Sequence, residues 1–160
     1  MNSGPRRGVT RGYVGALITA AVIVATALLV AAWGGLALLL DTDPVETASV
    51  PRWAAPVILL AGLGVLAWSL WRQAITLLRG RRAPSWGSMC TVAIGVYLLW
   101  GLAGILAGMS IDETWFSPFA VSLPVIWAVV SVLFWAVLAR RVYTDRPPPR
   151  WPWERAEEDE

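Results

Sequence analysis

Apolar positions dominate this chain in four long runs, 13–40, 53–78, 86–109 and 119–142, separated by short polar segments. No Asp, Glu, Lys or His falls inside the hydrocarbon-length part of any run. Arg72 interrupts the second near its end, and Arg140 and Arg141 fall in the last turn of the fourth. About 20 consecutive apolar residues suffice to cross a bilayer as an α-helix. Backbone in lipid must satisfy its own hydrogen bonds, which a helix does within one segment. The pattern therefore predicts an all-α integral membrane protein with four transmembrane helices arranged as two hairpins. Residues 13–143 form the transmembrane domain, 1–12 an N-terminal tail, and 144–160 a C-terminal tail of Pro, Trp and acidic residues.

Charge adds an orientation. Arg6, Arg7 and Arg11 precede the first run, Arg72, Arg79, Arg81 and Arg82 border the second connection, and Arg140, Arg141, Arg146 and Arg150 follow the fourth run. The other two connections carry Asp41, Asp43 and Glu46 against Arg52 alone, and Asp112 with Glu113. The positive-inside rule places the arginine-rich side in the cytoplasm, both termini included. Trp53, Trp115 and Phe116 on one side and Trp71 and Trp86 on the other suit the two membrane interfaces. Trp33, Trp68, Trp100, Trp127 and Trp135 lie deeper and imply packing or a pocket. The first apolar run is longer than the roughly 7–15-residue core of a cleaved signal, so it reads as a retained helix. All the basic residues are Arg, and Ala, Gly, Pro and Trp are abundant. That bias suggests a GC-rich bacterial coding sequence and hence the bacterial plasma membrane.

Shifting the chain by 67 residues aligns the first hairpin with the second. Trp33-Gly34 falls on Trp100-Gly101, Leu39 on Leu106, Glu46-Thr47 on Glu113-Thr114, and Pro51 on Pro118. Ala61 then falls on Ala128, Val65-Leu66 on Val132-Leu133, and Trp68 on Trp135. Two readings stand: a parallel internal duplication, or two hairpins alike because one bilayer shapes both.

Helices in lipid associate where small residues let backbones approach. Ala27, Ala31 and Gly35 recur at spacings of four in the first helix, and Gly101, Gly104 and Gly108 share a face of the third, the last two as GxxxG. Packing of helix 1 on helix 3 is the expectation, with self-association through the same residues as the alternative. Pro56 and Pro124 read as first-turn residues of helices 2 and 4, where the missing N–H is harmless.

Candidate chemistry is sparse. There is no His, which excludes His-based metal sites, haem ligation through His and Ser–His or Cys–His catalysis. Cys90 is the one Cys, so no intramolecular disulfide forms, and in an apolar run it reads as a small hydrophobe. Thr19, Thr26, Ser69, Thr91, Ser122 and Ser131 can each bond a carbonyl of the preceding turn. No ionisable residue lies at mid-depth to mark a transport path, and no P-loop or dinucleotide fingerprint occurs. The acids of the two connections could hold a divalent cation; solvated loops are the simpler account. The net charge of +2 argues against nucleic acid as a partner. In the tail, Arg146, Arg150, Trp151 and Trp153 flank a Pro run suited to an extended conformation and to contact with a partner or anionic headgroups.

The size and tryptophan content are similar to those of the tryptophan-rich sensory family, but that family has five helices and its motifs do not appear here in order, so no family is assigned from the sequence. The expectation is a non-enzymatic, cofactor-free multi-pass membrane protein, an accessory or scaffold subunit acting by helix–helix and tail contacts. Its partners would be the lipid bilayer and a membrane protein or a second copy. A small oligomeric transporter or channel is the alternative.

Overall fold

A computed structural model describes residues 11–79 and 86–144. It contains α1 (Arg11–Leu40), α2 (Ala54–Leu78), α3 (Trp86–Leu106), a π-helical turn (Asp112–Phe116) and α4 (Pro118–Thr144). No strand occurs among the described residues. All four α-helices are long and apolar enough to cross a membrane. The apolar runs form helices because a helix closes nearly all of its backbone bonds within its own segment.

The helices alternate in direction, since the α1–α2 and α3–α4 connections meet at one end. Glu113 accepts hydrogen bonds there from the backbone of Glu46 and Thr47. At the opposite end the Arg141 guanidinium lies 5.8 Å from the Tyr13 ring centroid, joining the start of α1 to the end of α4. We call these the acidic end and the arginine end. α1 and α3 each pack on both α2 and α4, and α2 touches α4 across the diagonal.

The buried positions follow helical spacing. On α2 they are Ala54, Ile58, Gly62, Leu66, Ser69, Leu70, Gln73, Ala74 and Leu77, and on α3 Met89, Ala93, Val96, Trp100, Gly101 and Gly104. α4 supplies the densest set, with Ala120, Leu123, Trp127, Val130 and Ser131 almost fully enclosed. α1 is the outlier, burying Val14, Ala25, Leu29 and Trp33 but little else.

Several sequence expectations change. α3 stops at Leu106 instead of running to 109. Gly108 adopts φ +89°, its N–H bonds the Ile105 carbonyl, and the Met109 N–H bonds the Gly104 carbonyl. This is a Schellman C-cap, in which glycine supplies the left-handed residue and the two N–H groups satisfy terminal carbonyls. Gly108 thus terminates the helix and is not half of a helix-packing GxxxG pair. Pro124 lies inside α4, beyond its first turn, so the missing N–H costs a ladder bond to the Ala120 carbonyl. The expected backbone approach of α1 to α3 is absent among the described residues. Those helices meet through Trp33 and Trp100, whose rings cross edge to face with centroids 5.2 Å apart.

Candidate functional site

The acidic end is a closed structural device. Ser110 and Glu113 form a capping box: the Glu113 N–H donates to Ser110 Oγ (3.2 Å), and the Ser110 N–H donates to Glu113 Oε2 (2.9 Å). The same carboxylate reaches the other connection, where Oε1 accepts from the N–H groups of Glu46 (2.7 Å) and Thr47 (2.8 Å), and Oε2 from Thr47 Oγ1 (2.8 Å). Partial burial works to raise the Glu113 pKa, and the Ser110, Thr47 and Glu46 donors outweigh it, holding the carboxyl below its usual range. Both oxygens are engaged, so this acid clasps two loops. Among the described residues no cluster of three or more His, Cys, Asp or Glu gathers as a metal site. A cavity of about 570 Å³ beneath the α1–α2 connection has Asp43, Glu46, Arg52 and Trp33 in its wall.

The glycines of α3 serve this end. A Cβ on Gly101 would lie 2.6 Å from the Trp115 ring, and one on Gly104 would lie 2.6 Å from Thr114 Cγ2. Both admit the π-helical turn against α3, so the partner of the glycine face is the turn and not α1. Tyr97 Oη and Trp100 Nε1 then donate to the carbonyls of Trp115 (2.6 Å) and Glu113 (3.4 Å). Trp33 Nε1 donates to the Phe119 carbonyl and Ser122 Oγ, and Trp127 Nε1 to the Gly62 carbonyl. Three of the deep tryptophans are accordingly core pillars with their N–H groups satisfied.

The small residues of α1 behave differently. Ala27 and Ala31 are exposed and Gly35 is half-buried. A Cβ at Gly34 or Gly35 would meet nothing within 4 Å among the described residues. With Ile23, Val30 and Leu38, also exposed, they form an outward face of small and apolar side chains. Arg146, Arg150, Trp151 and Trp153 lie outside the described residues.

Of the six hydroxyls singled out in the sequence, five donate to carbonyls of the preceding turn: Thr19, Thr26, Ser69, Thr91 and Ser122. Ser131 is the exception. Its Oγ is buried and has no partner among the described residues, as are Trp135 Nε1 and both amide atoms of Gln73. Gln73 was not among the residues that sequence reasoning singled out. Its signal is an amide inside an apolar run, which costs free energy unless something bonds it.

Gln73 lines a groove of about 570 Å³ between α2 and α3 near the arginine end. Ser69, Arg72, Thr76, Ser88 and Thr91 supply the rest of its polar wall, while Val65, Trp68 and Val92 supply an apolar one. Trp68, the fourth deep tryptophan, is two-thirds exposed there. Thr76 and Thr91 spend their hydroxyl protons on helix carbonyls, leaving oxygen lone pairs as acceptors. Cys90 is exposed on α3 and outside this wall.

Among the described residues the protein is all-helical, with two differently furnished ends and four helices long and apolar enough to cross a membrane. The chain belongs to the family of unknown function DUF6121, whose model matches residues 8–160. No curated protein and no solved structure matches it.

Proposed function

We propose that this protein is a non-enzymatic membrane subunit that works by contact, with α1 as its docking helix. The outward placement of Ala27 and Ala31, with open space at Gly34 and Gly35, carries this reading. Small residues repeated at spacings of four admit a second helix to close range in lipid, and the described residues of the bundle leave most of this stripe uncovered. The occupant is a transmembrane helix of a partner protein. Arg146, Arg150, Trp151 and Trp153 of the tail form a second contact at the arginine end. Contact is favoured over transport because Trp33, Trp100 and Trp127 fill the acidic half of the core, where a polar path would have to run.

The arginine end faces the cytoplasm of a bacterial cell in this reading, with both termini inside and the acidic loops outside. The two hairpins descend from a parallel duplication. Trp33 meets Trp100, its counterpart under the 67-residue shift, and Glu113 bonds the Glu46-Thr47 pair to which Glu113-Thr114 corresponds. Residues near a two-fold axis along the membrane normal meet their own counterparts in this way.

Copurification from native membranes tests the docking role. Full-length protein should retain a stoichiometric partner that is lost in Ala31→Phe, with thermal unfolding in detergent unchanged. Removal of residues 144–160 should weaken capture while leaving insertion intact. A partner set identical in all three proteins would overturn the contact reading. In a Cys90→Ala background, a membrane-impermeant thiol reagent should label Thr42→Cys in intact cells and spare Ala83→Cys; the reverse would invert the orientation.

A further inference from the structure

We infer that the groove between α2 and α3 is a binding site for the headgroup of an anionic glycerophospholipid bearing hydroxyls, drawn from the leaflet at the arginine end. The inference rests on the chain lying in a membrane and not on the docking role of α1. Gln73 is the starting point. Its side chain is 5% exposed, lines the groove, and neither its Nε2 nor its Oε1 has a partner among the described residues. An amide kept unpaired at a groove wall offers one donor pair and one acceptor to a ligand that can both accept and donate.

The other wall groups narrow the chemistry. Among the described residues Arg72 is the one cation lining the groove, and no carboxylate lines it. A guanidinium with its planar donor fork suits a phosphate, and the absence of a carboxylate gives a headgroup ammonium nothing to pair with. Gly87 and Ser88 belong to the first turn of α3, whose N–H groups have no intrahelical acceptor and carry the positive end of the helix dipole. Arg72 and this turn form the anion half of the site. Thr76 and Thr91, with protons already committed to carbonyls, accept from headgroup hydroxyls, as does Gln73 Oε1. Those three groups form the neutral half.

Position fits the same occupant. Arg72 lies six residues before the end of α2 at Leu78, about 9 Å along the axis at 1.5 Å per residue, where a long side chain reaches the headgroup layer. Val65 and Trp68 lie one to two turns further from the end of α2 than Arg72, where an acyl chain would run. A free anion would use the polar wall and leave this apolar one bare. Basic pockets between transmembrane helices on the cytoplasmic side are a recurrent way of holding anionic headgroups.

The test uses the full-length protein, delipidated in detergent and titrated with phosphatidylglycerol, phosphatidylcholine or inorganic phosphate, with native mass spectrometry and thermal unfolding as readouts. One phosphatidylglycerol should be retained at least tenfold more tightly than phosphatidylcholine and should raise the unfolding temperature, while inorganic phosphate should neither compete nor stabilise. Arg72→Gln should lose the preference for the anionic lipid. Gln73→Leu removes an unpaired buried amide, so it should unfold at a higher temperature than wild type without lipid yet gain less from phosphatidylglycerol. Wild-type retention in both variants would overturn the inference, as would equal binding of the two lipids. Displacement by inorganic phosphate would reassign the site to a free anion and overturn the lipid. Partner capture through α1 should be unaffected by either variant, which separates this test from that of the docking helix.

Discussion

At the acidic end of the bundle the indole N–H groups of Trp33, Trp100 and Trp127 all find acceptors, one carboxylate gathers four donors, and two glycines let a loop turn press onto α3. From the middle of α4 toward the arginine end, Ser131 Oγ, Trp135 Nε1 and the Gln73 amide are buried without partners among the described residues. A buried polar group left unpaired costs about 1–3 kcal/mol, while a formed bond contributes about 1 kcal/mol net. One half of the bundle thus concentrates structural bonds, and the other holds polar groups in reserve. Where a small protein leaves polar atoms unpaired, a ligand or ordered water is the usual explanation.

The contrast breaks most visibly at the glycines. Gly104→Leu forces a side chain into the space of Thr114 and Met109 and should cost about 3 kcal/mol, at the upper end of overpacking effects, read as a loss of thermal stability in detergent. Gly35→Ala, whose added Cβ meets nothing among the described residues, should leave stability unchanged or raise it by up to ~1 kcal/mol through helix propensity. Equal losses at both positions would mean that α1 is covered and that the close approach at the acidic end is not special.

Trp33→Phe keeps a ring against Trp100 and Phe119 but removes the N–H that bonds the Phe119 carbonyl and Ser122 Oγ. The expected cost is about 1–2 kcal/mol. A Trp68→Phe change in the exposed groove wall should have no comparable effect on the lipid-free protein.

Glu113 makes the contrast depend on pH. Its folded pKa is depressed, so the clasp contributes fully above the unfolded carboxyl value and is lost as pH falls through the lower folded value. The carboxylate is only half-buried, so solvent screening limits the contribution to about 1 kcal/mol. Glu113→Gln should lower stability at neutral pH and flatten the acid dependence. An unchanged acid slope in this variant would assign the titration to another carboxylate.

Much of this was legible in residue order. The apolar runs gave α2 to within a residue, and the hydroxyls that bond back to their own helix followed from their place in apolar spans. Gly108 carried two readings, because a glycine four residues after another makes GxxxG, and a glycine before a polar segment makes a C-cap. The polar Ser110 that follows decides for the cap, and Ser110-Ile111-Asp112-Glu113 is itself a capping-box pattern that announces the turn. The outward direction of Ala27 and Ala31 was not legible. In lipid the face toward the bundle and the face toward acyl chains are equally apolar, so α1 lacks the polar–apolar asymmetry that orients a helix in water. Nor does an amide such as Gln73 reveal from sequence whether a neighbour satisfies it.

The smallest and sharpest test compares one chemical change at two places on α4. Ser122→Ala and Ser131→Ala each remove a hydroxyl and gain the same helix propensity, so their difference isolates the hydrogen bonding. Ser122 Oγ donates to the Phe119 carbonyl at 2.7 Å and accepts from Trp33 Nε1 at 3.0 Å. Its loss leaves the indole with a single, longer bond and should cost somewhat under ~1 kcal/mol. Ser131 Oγ is fully buried and makes no bond among the described residues. Removing it relieves a desolvated hydroxyl, and stability should hold or rise by up to ~1 kcal/mol. The two substitutions are therefore expected to shift the unfolding temperature in opposite directions, or one downward and one not at all. A matching downward shift at Ser131 would mean that a water or lipid atom already bonds its hydroxyl. The middle of the bundle would then be as fully satisfied as its acidic end, and unpaired polarity would be confined to the Gln73 groove.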